Sequence, residues 1–139
     1  MILVDTSAWV DFFRGAGRLS SLVDDALDAN EAALCGPVIT ELRRGLKSRS
    51  ERAQVLDLLG GCHLLAQPDR LWDEAGELGF YLARKGVVAK SMDLLIACYA
   101  LAHELPVMTA DSDFSHMKKA GIGIDLVAPW TKSELARFG

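Results

Sequence analysis

Short apolar runs alternate along this chain with longer helix-type segments, and this alternation is the feature that most restricts its fold. The run at 2–4 is apolar throughout, as a strand covered on both faces should be. The longer segments between such runs repeat their apolar residues at helical spacing. The pattern therefore predicts an α/β domain with a mostly parallel central sheet.

The pattern also gives the order of the elements. Strands are expected at 2–4, 32–35, 63–66, 106–109 and 124–127. Helices are expected at 8–13, 19–27, 37–46, 51–59, from Asp69 to about 85, at 92–104, and over a short segment that begins at Asp113 or Ser115. Side chains expected to cap helices are Thr6 or Ser7, Asp69 and Ser91, and Pro37 suits a first helical position. Without repeats or linkers, residues 1–139 are expected to form a single domain.

Composition narrows the class of protein. Half of the residues are apolar, enough for a full core, but no apolar run reaches the roughly 18 residues of a membrane span. The N-terminus lacks the basic and long apolar regions of a secretory signal, so a cytoplasmic location is expected. The three cysteines and three histidines are scattered, which makes a zinc site or a disulfide framework unexpected.

Acidic residues fall where the predicted strands end. Asp5 directly follows the first strand, and Asp111 and Asp113 follow the strand that ends at 109. Glu41 and Asp93 lie near the starts of two predicted helices. Ligands of open parallel sheets bind beyond the carboxyl ends of the strands. All five carboxylates are therefore able to converge on one cleft.

Each acid alone has an ordinary explanation, as a turn residue or a favourable charge at a helix start. Together, gathered carboxylates repel one another and take up protons unless a cation lies among them. Oxygen ligands without histidine or cysteine favour Mg²⁺ or Mn²⁺. Such a site activates water for attack on a phosphodiester.

Four segments contain the acidic residues in a characteristic order. The segments are Val4-Asp5-Thr6-Ser7, Val38-Ile39-Thr40-Glu41-Leu42-Arg43-Arg44-Gly45, Ser91-Met92-Asp93-Leu94-Leu95-Ile96-Ala97 and Met108-Thr109-Ala110-Asp111-Ser112-Asp113-Phe114. Together they resemble the PIN-domain nucleases, and in particular the VapC toxins of bacterial toxin–antitoxin pairs. The resemblance covers nearly the whole chain, in the same order and spacing.

The resemblance implies a three-layer α/β/α fold and a magnesium-dependent RNA endonuclease, with Mn²⁺ as a substitute ion, that is the toxin of a type II toxin–antitoxin system. It also implies a homodimer and a cognate antitoxin as partners, and no membrane association. Asp5 and Asp93 match the principal metal ligands, and Glu41 matches the third acid. Asp111 matches the fourth, a duty that Asp113 is placed to share or replace, and Thr6 or Ser7 matches the supporting hydroxyl.

The net charge of −4 argues against a nucleic-acid binder, but the basic residues are unevenly distributed. Arg43, Arg44 and Lys47 follow Glu41 and are candidate phosphate contacts, with a solvated helix face as the equal alternative. The aromatic side chains at helical spacing are expected to pack in the core or at a dimer contact rather than to stack on bases: Trp9, Phe12, Phe13, Trp72 and Tyr99. An antitoxin groove is expected along the helices at 19–27 and 37–46.

Other functions fit the sequence less well. A haloacid-dehalogenase-like phosphatase also has an aspartate after its first strand but needs a second one two residues later, where this chain has Ser7. A receiver domain needs paired acids after strand one and a late lysine. A PIN-like RNA-processing nuclease outside a toxin–antitoxin pair and a metal-stabilised interaction module stay open as alternatives.

Overall fold

The computed structural model describes residues 1–129, and they form a five-stranded sheet in which every strand is parallel to its neighbours. The spatial order is β3-β2-β1-β4-β5. The strands are β1 (Ile2–Val4), β2 (Ala32–Leu34), β3 (His63–Leu64), β4 (Val107–Met108) and β5 (Leu126–Val127). Residues 130–139, which the predicted domain included, lie outside the described residues.

Within residues 1–129, seven helices connect these strands. They are α1 (Thr6–Arg14), α2 (Ser20–Asp28), α3 (Gly36–Arg44), α4 (Arg49–Gly60), α5 (Leu71–Arg84), α6 (Ser91–His103) and α7 (Asp113–Lys119). Helix α1 packs mainly on α2, and α5 packs mainly on α6. The chain moves from β1 towards one edge of the sheet and then returns across it. Because crossovers between parallel strands are right-handed in nearly all proteins, this reversal is expected to place the helices before and after it on opposite faces of the sheet. The predicted three-layer α/β/α fold is confirmed.

The sheet forms the centre of the core because its middle strands are apolar on both faces. Leu3 and Val4 of β1 are fully buried, as are Ala33 of β2 and Val107 of β4. Leu3 pairs with Ala33 on one side and with Val107 on the other. The strand pairs therefore reach the same edge of the sheet together, and the residues after β1 and β4 emerge side by side.

Three predicted caps differ from the structure. Thr6 and Ser7 lie inside α1, and the residue that precedes this helix is Asp5. Helix α5 is preceded by Arg70, whose φ of 58° is left-handed, so Asp69 is not its cap. Helix α6 begins at Ser91 after the extended Lys90, so Ser91 is a helical residue and not the cap. The capping residue is set by where the backbone leaves the helical conformation. When several polar residues lie close together in the sequence, the sequence does not show which of them occupies that position.

The predicted packing of aromatic residues holds for the ones that face the sheet. Trp9 is fully buried and Tyr99 is 4% exposed, whereas Trp72 is 68% exposed on α5 and lies outside the core. The Phe12 and Phe13 rings cluster with Trp9 at centroid distances of 6.1 and 5.8 Å. Within residues 1–129, no helix combines the length and apolarity needed to cross a membrane.

Candidate metal centre

The carboxyl ends of β1 and β4 bring Asp5 next to Thr109. The Asp5 backbone N–H continues the sheet by donating to the Met108 carbonyl at 2.9 Å. One residue beyond Met108, the Thr109 hydroxyl donates to Asp5 Oδ2 at 2.9 Å. Both side chains are buried, with 4% and 3% exposure. The centre is thus built where the sheet order reverses direction, the place where open α/β sheets bind ligands.

The two hydroxyls that follow Asp5 each hold a different carboxylate. Ser7 Oγ donates to Asp5 Oδ2 at 2.8 Å, and Thr6 Oγ1 donates to Glu41 Oε1 at 2.8 Å. Ser7 Oγ also accepts from the Ala110 backbone N–H at 2.9 Å. Since a hydroxyl has one proton, a Ser7 that donates to Asp5 has none left for Thr109, which lies 3.1 Å away. The sequence predicted a supporting hydroxyl at Thr6 or Ser7, and in the structure each of the two holds one carboxylate.

Three further acids lie close together beside this pair. One carboxylate oxygen each from Asp93, Asp111 and Asp113 lies within 4.8 Å of the other two. Asp93 comes from the first turn of α6, and Asp113 begins α7. The Asp111 backbone N–H donates to Thr109 Oγ1 at 3.0 Å, and the Asp113 N–H donates to Asp111 Oδ1 at 2.9 Å. The turn after β4 is therefore tied to the same threonine that holds Asp5.

A single cleft joins most of the predicted acids. Asp5, Glu41, Asp93 and Asp111 all line it, whereas Asp113 reaches the centre through its contact with Asp93 and Asp111. Glu41 lies on α3 at the side of the cleft nearest Thr6, outside the three-oxygen cluster. Four predicted carboxylates thus share the cleft, and the fifth lies beside them.

Burial and mutual repulsion raise the pKa values of the central acids. Burial raises the pKa of Asp93 to about 7, with the charges of Asp5, Asp111 and Asp113 adding to the effect and Lys90 opposing it. Burial also raises the pKa of Asp5, although the hydrogen bonds from Ser7 and Thr109 oppose this. A carboxyl group whose pKa is raised by burial and by neighbouring charges is one that a divalent cation stabilises in its charged form.

The residues of the cluster fit a divalent cation. Asp93 Oδ2 is buried and has no hydrogen-bond partner among the described residues. A buried carboxylate oxygen without a partner is costly, and an ion held between it and the neighbouring acids removes that cost. The donors in the cluster are all carboxylate oxygens, the ligand type that hard ions such as Mg²⁺ prefer.

The predicted phosphate contacts separate in the structure. Arg44 lines the cleft with the carboxylates. Lys47 instead lines a neighbouring groove, and Arg43 is exposed beside Arg44 without lining the cleft. The basic segment after Glu41 therefore contributes one of its three candidates to the cleft.

Two residues of the centre were not among the site residues predicted from the sequence: Thr109, which is buried and holds Asp5, and Lys90 at the cleft. Thr109 follows a predicted strand as Asp5 does, and its polar side chain at that position was the available signal. Lys90 precedes α6 by one residue and lines the cleft. Its position three residues before Asp93 was the available signal for this lysine.

The chain is similar to proteins of one known family. Residues 2–120 match the model of the PIN domain family. The chain is 31% identical to Ribonuclease VapC11 of Mycobacterium tuberculosis, and the alignment covers 99% of both chains. It is 28% identical to Ribonuclease VapC5 of the same organism, over 85% of this chain and 88% of that one.

Solved structures share the fold. The crystal structure of VapBC-5 from Mycobacterium tuberculosis, a member of the VapBC family of toxin–antitoxin systems, matches with a TM-score of 0.63 and 26% identity, over 90% of this chain and 95% of that chain. DNA-bound VapBC from Salmonella typhimurium matches with a TM-score of 0.73 and 20% identity, over 91% and 96%. The chain belongs to the PIN domain family and, within it, to the family of the VapC ribonucleases.

Proposed function

We propose that this chain is a magnesium-dependent endoribonuclease, with Mn²⁺ as a substitute ion, whose active centre consists of Asp5, Glu41, Asp93 and Asp111 with Asp113 in support. One observation carries the proposal. Asp93 Oδ2 is buried without a partner among the described residues, in a cleft lined by the carboxylates of four separate chain segments. Such an arrangement is unfavourable for folding unless it serves a bound cation.

The ligand roles follow from position in the cleft. Asp93 and Asp111 present oxygens to a common point, and Asp5 faces it from the end of β1. Asp5 is held in place by Ser7 and Thr109, which fix the orientation of its carboxylate. Asp111 is the fourth acid because it lines the cleft directly, while Asp113 adds a neighbouring oxygen.

Glu41 is the candidate for accepting the proton of the attacking water. Thr6 holds Glu41 Oε1, which leaves Oε2 available as an acceptor. A divalent ion bound to the cluster supplies a Lewis acid and lowers the pKa of water there. Among the described residues, no histidine or cysteine lines the cleft, so no Ser-His or Cys-His pair is available there. Water is therefore the proposed nucleophile.

The test is cleavage of single-stranded RNA by the purified chain with Mg²⁺ and with EDTA. Asp5→Asn and Asp93→Asn each retain side-chain size and remove a charge, and we expect both to lose cleavage while keeping the far-UV circular dichroism of the wild type. Asp24→Asn is the matched control, because Asp24 is exposed on α2 and does not line the cleft. Wild-type rates in either cleft variant would refute the assignment of the centre.

We also propose that the chain is the toxin of a type II toxin–antitoxin pair. VapBC-5, whose structure is similar to this chain, is a member of the VapBC family of toxin–antitoxin systems. A groove between α1, α3 and α4 supports the proposal. Val10, Phe13, Leu46 and Val55 form its apolar part, and charged residues such as Lys47 and Glu51 also line it. Its lining differs from the expected one, because α2 contributes none of it and α4 does. The groove reaches the cleft, since Thr6 and Glu41 line both.

Co-purification with the product of the neighbouring gene tests this pairing. We expect Phe13→Asp to release the partner and to leave RNA cleavage intact, because Phe13 lines the groove and not the cleft. Leu101→Asp on α6 is the control, because Leu101 is 38% exposed, close to the 39% of Phe13, and lines neither the groove nor the cleft. Toxicity on expression that no neighbouring gene relieves would instead favour a PIN-like RNA-processing nuclease outside a toxin–antitoxin pair.

The homodimer and the cytoplasmic location stay predictions. Exposed apolar side chains on and beside α5 support a dimer contact, with Trp72 at 68%, Phe80 at 63% and Val88 at 93% exposure. The phosphatase alternative is disfavoured because Ser7, at the position of the required acid, uses its hydroxyl to hold Asp5.

A further inference from the structure

Two cations lie at the rim of the acidic cleft, and each is three residues from a carboxylate. Lys90 precedes Asp93 at the start of α6, and Arg44 follows Glu41 in the last turn of α3. Residues three apart in a helix lie on the same side of it, so Arg44 shares a side of α3 with Glu41. Lys90 lies in extended backbone immediately before α6. Both cations line the same cleft as the carboxylates. The cleft therefore has acids within it, one base in the last turn of α3 and one base just before α6.

Neither cation forms a direct ion pair with these acids. Among the described residues, neither Lys90 nor Arg44 forms a salt bridge with a carboxylate within 4.0 Å, and both side chains are exposed. The charge of Lys90 lowers the pKa of Asp93 from a distance, so Lys90 offsets part of the repulsion among the acids while its N–H donors stay available to another ligand. Unpaired cations beside a cation-binding cluster are suited to an anion that binds next to that cluster.

We propose that Lys90 and Arg44 form a phosphate clamp that binds the backbone phosphates of single-stranded RNA on either side of the bond to be cut. The proposal rests on the ribonuclease function proposed above and adds the residues that position its substrate. Arg44 offers a planar fork of N–H donors to phosphate oxygens, and Lys90 offers a compact charge. The clamp binds RNA without reading its sequence, because phosphate contacts carry no base information.

The structure distinguishes the clamp from the rest of the basic surface. Arg43 is next to Arg44 and equally charged, but it does not line the cleft. Lys119 is exposed at the end of α7 and does not line it either. These two residues are matched controls, because each can lose the same charge at the same degree of exposure.

The test measures binding separately from cleavage. Fluorescence anisotropy of a labelled 12-nucleotide single-stranded RNA is followed in EDTA, at several salt concentrations, for Lys90→Gln, Arg44→Gln, Arg43→Gln and Lys119→Gln. Each clamp variant is expected to weaken binding about tenfold, the value of one charge-assisted hydrogen bond. The slope of log Kd against log salt should fall by about 0.7 for each lost contact with single-stranded RNA. The controls should match the wild type.

Measurement of Mg²⁺ binding distinguishes a role of Lys90 in binding phosphate from a role in supporting the metal centre. Removal of a cation near the carboxylates strengthens their attraction for Mg²⁺, so Lys90→Gln should bind Mg²⁺ as tightly as the wild type or more tightly in calorimetric titration. Weakened Mg²⁺ binding in this variant would show that Lys90 supports the metal centre, and it would overturn the proposal. Lys90→Arg, which keeps the charge, should restore RNA affinity.

The failures of the two proposals are distinguishable. If the wild type cuts RNA and both clamp variants bind RNA with wild-type affinity and salt dependence, the clamp is refuted while the ribonuclease function stands. If the wild type binds RNA through the clamp but never cuts it with Mg²⁺ or Mn²⁺, the proposed reaction fails and the clamp stands. A wild type that binds no RNA refutes both.

Discussion

Thr109 donates a hydrogen bond of 2.9 Å to Asp5, which lies 104 positions earlier in the chain. The same Thr109 oxygen accepts from the Asp111 backbone N–H at 3.0 Å. One hydroxyl therefore fixes two predicted acids relative to each other, and it does so from a position that is 3% exposed.

We expect Thr109→Val to keep the fold and to lower cleavage about 10- to 100-fold, the usual effect of losing a residue that orients a metal ligand. Stability should fall by about 1–3 kcal/mol, because the Asp111 N–H loses its acceptor. Thr109→Ser keeps the hydroxyl and is the control for activity. RNA cleavage at varied Mg²⁺ concentration and urea denaturation measure the two effects. Equal activity of the valine and serine variants would contradict this role.

The sequence predicted the positions of the acids well because those positions follow from topology. Asp5 and Asp111 come after strands that are adjacent in a parallel sheet, so the order of elements alone brings them to one edge. The hydrogen bond from Thr109 to Asp5 could not be predicted from the sequence, because it depends on the register of β1 against β4. The caps at Arg70 and Lys90 were missed because polar residues nearby were equally suitable candidates.

Removal of the Asp93 charge should preserve the stability of the metal-free protein and reduce its stabilisation by Mg²⁺. With EDTA at pH 8, Asp93→Asn is expected to be at least as stable as the wild type, because it removes a buried charge that repels Asp5 and Asp111. An ion at 100 times its Kd stabilises the native wild type by about 2.7 kcal/mol. The variant should lose most of this gain. Thermal denaturation with and without Mg²⁺ measures both, and a full Mg²⁺ response in the variant would remove Asp93 from the ligand set.

The loop between α1 and α2 should be sensitive to a single methyl group. Gly17 has a φ of 101°, and a Cβ there would lie 2.4 Å from the Asp11 carboxylate, which also accepts from the Leu19 backbone N–H at 3.3 Å. Gly17→Ala is expected to destabilise the protein by about 1–3 kcal/mol. Gly76→Ala in α5 is the matched control, because nothing lies within 4 Å of its Cβ position. The control should be stabilised by up to about 1 kcal/mol, and equal denaturant midpoints for the two variants would contradict the prediction.

The stability of the metal-free protein should fall as pH rises from about 4 to 7. Asp93 has an ordinary pKa of 3.8, which burial and the neighbouring acids raise to about 7 in the folded protein. Between these values the folded state keeps a proton that the unfolded state has released, so each increase in pH favours unfolding. Burial raises the pKa of Asp5 in the same direction, so Asp93→Asn should reduce the slope without removing it.

Magnesium should change this pH dependence because it competes with protons for the same oxygens. The increase in Tm on addition of Mg²⁺ is therefore expected to be larger at pH 8 than at pH 6 in the wild type, and small at both in Asp93→Asn. Melting curves in EDTA and in Mg²⁺ at the two pH values give the comparison. A Mg²⁺ effect of equal size at pH 6 and pH 8 would mean that the ion does not displace a proton from the cluster. The raised pKa of Asp93 would then be unrelated to metal binding.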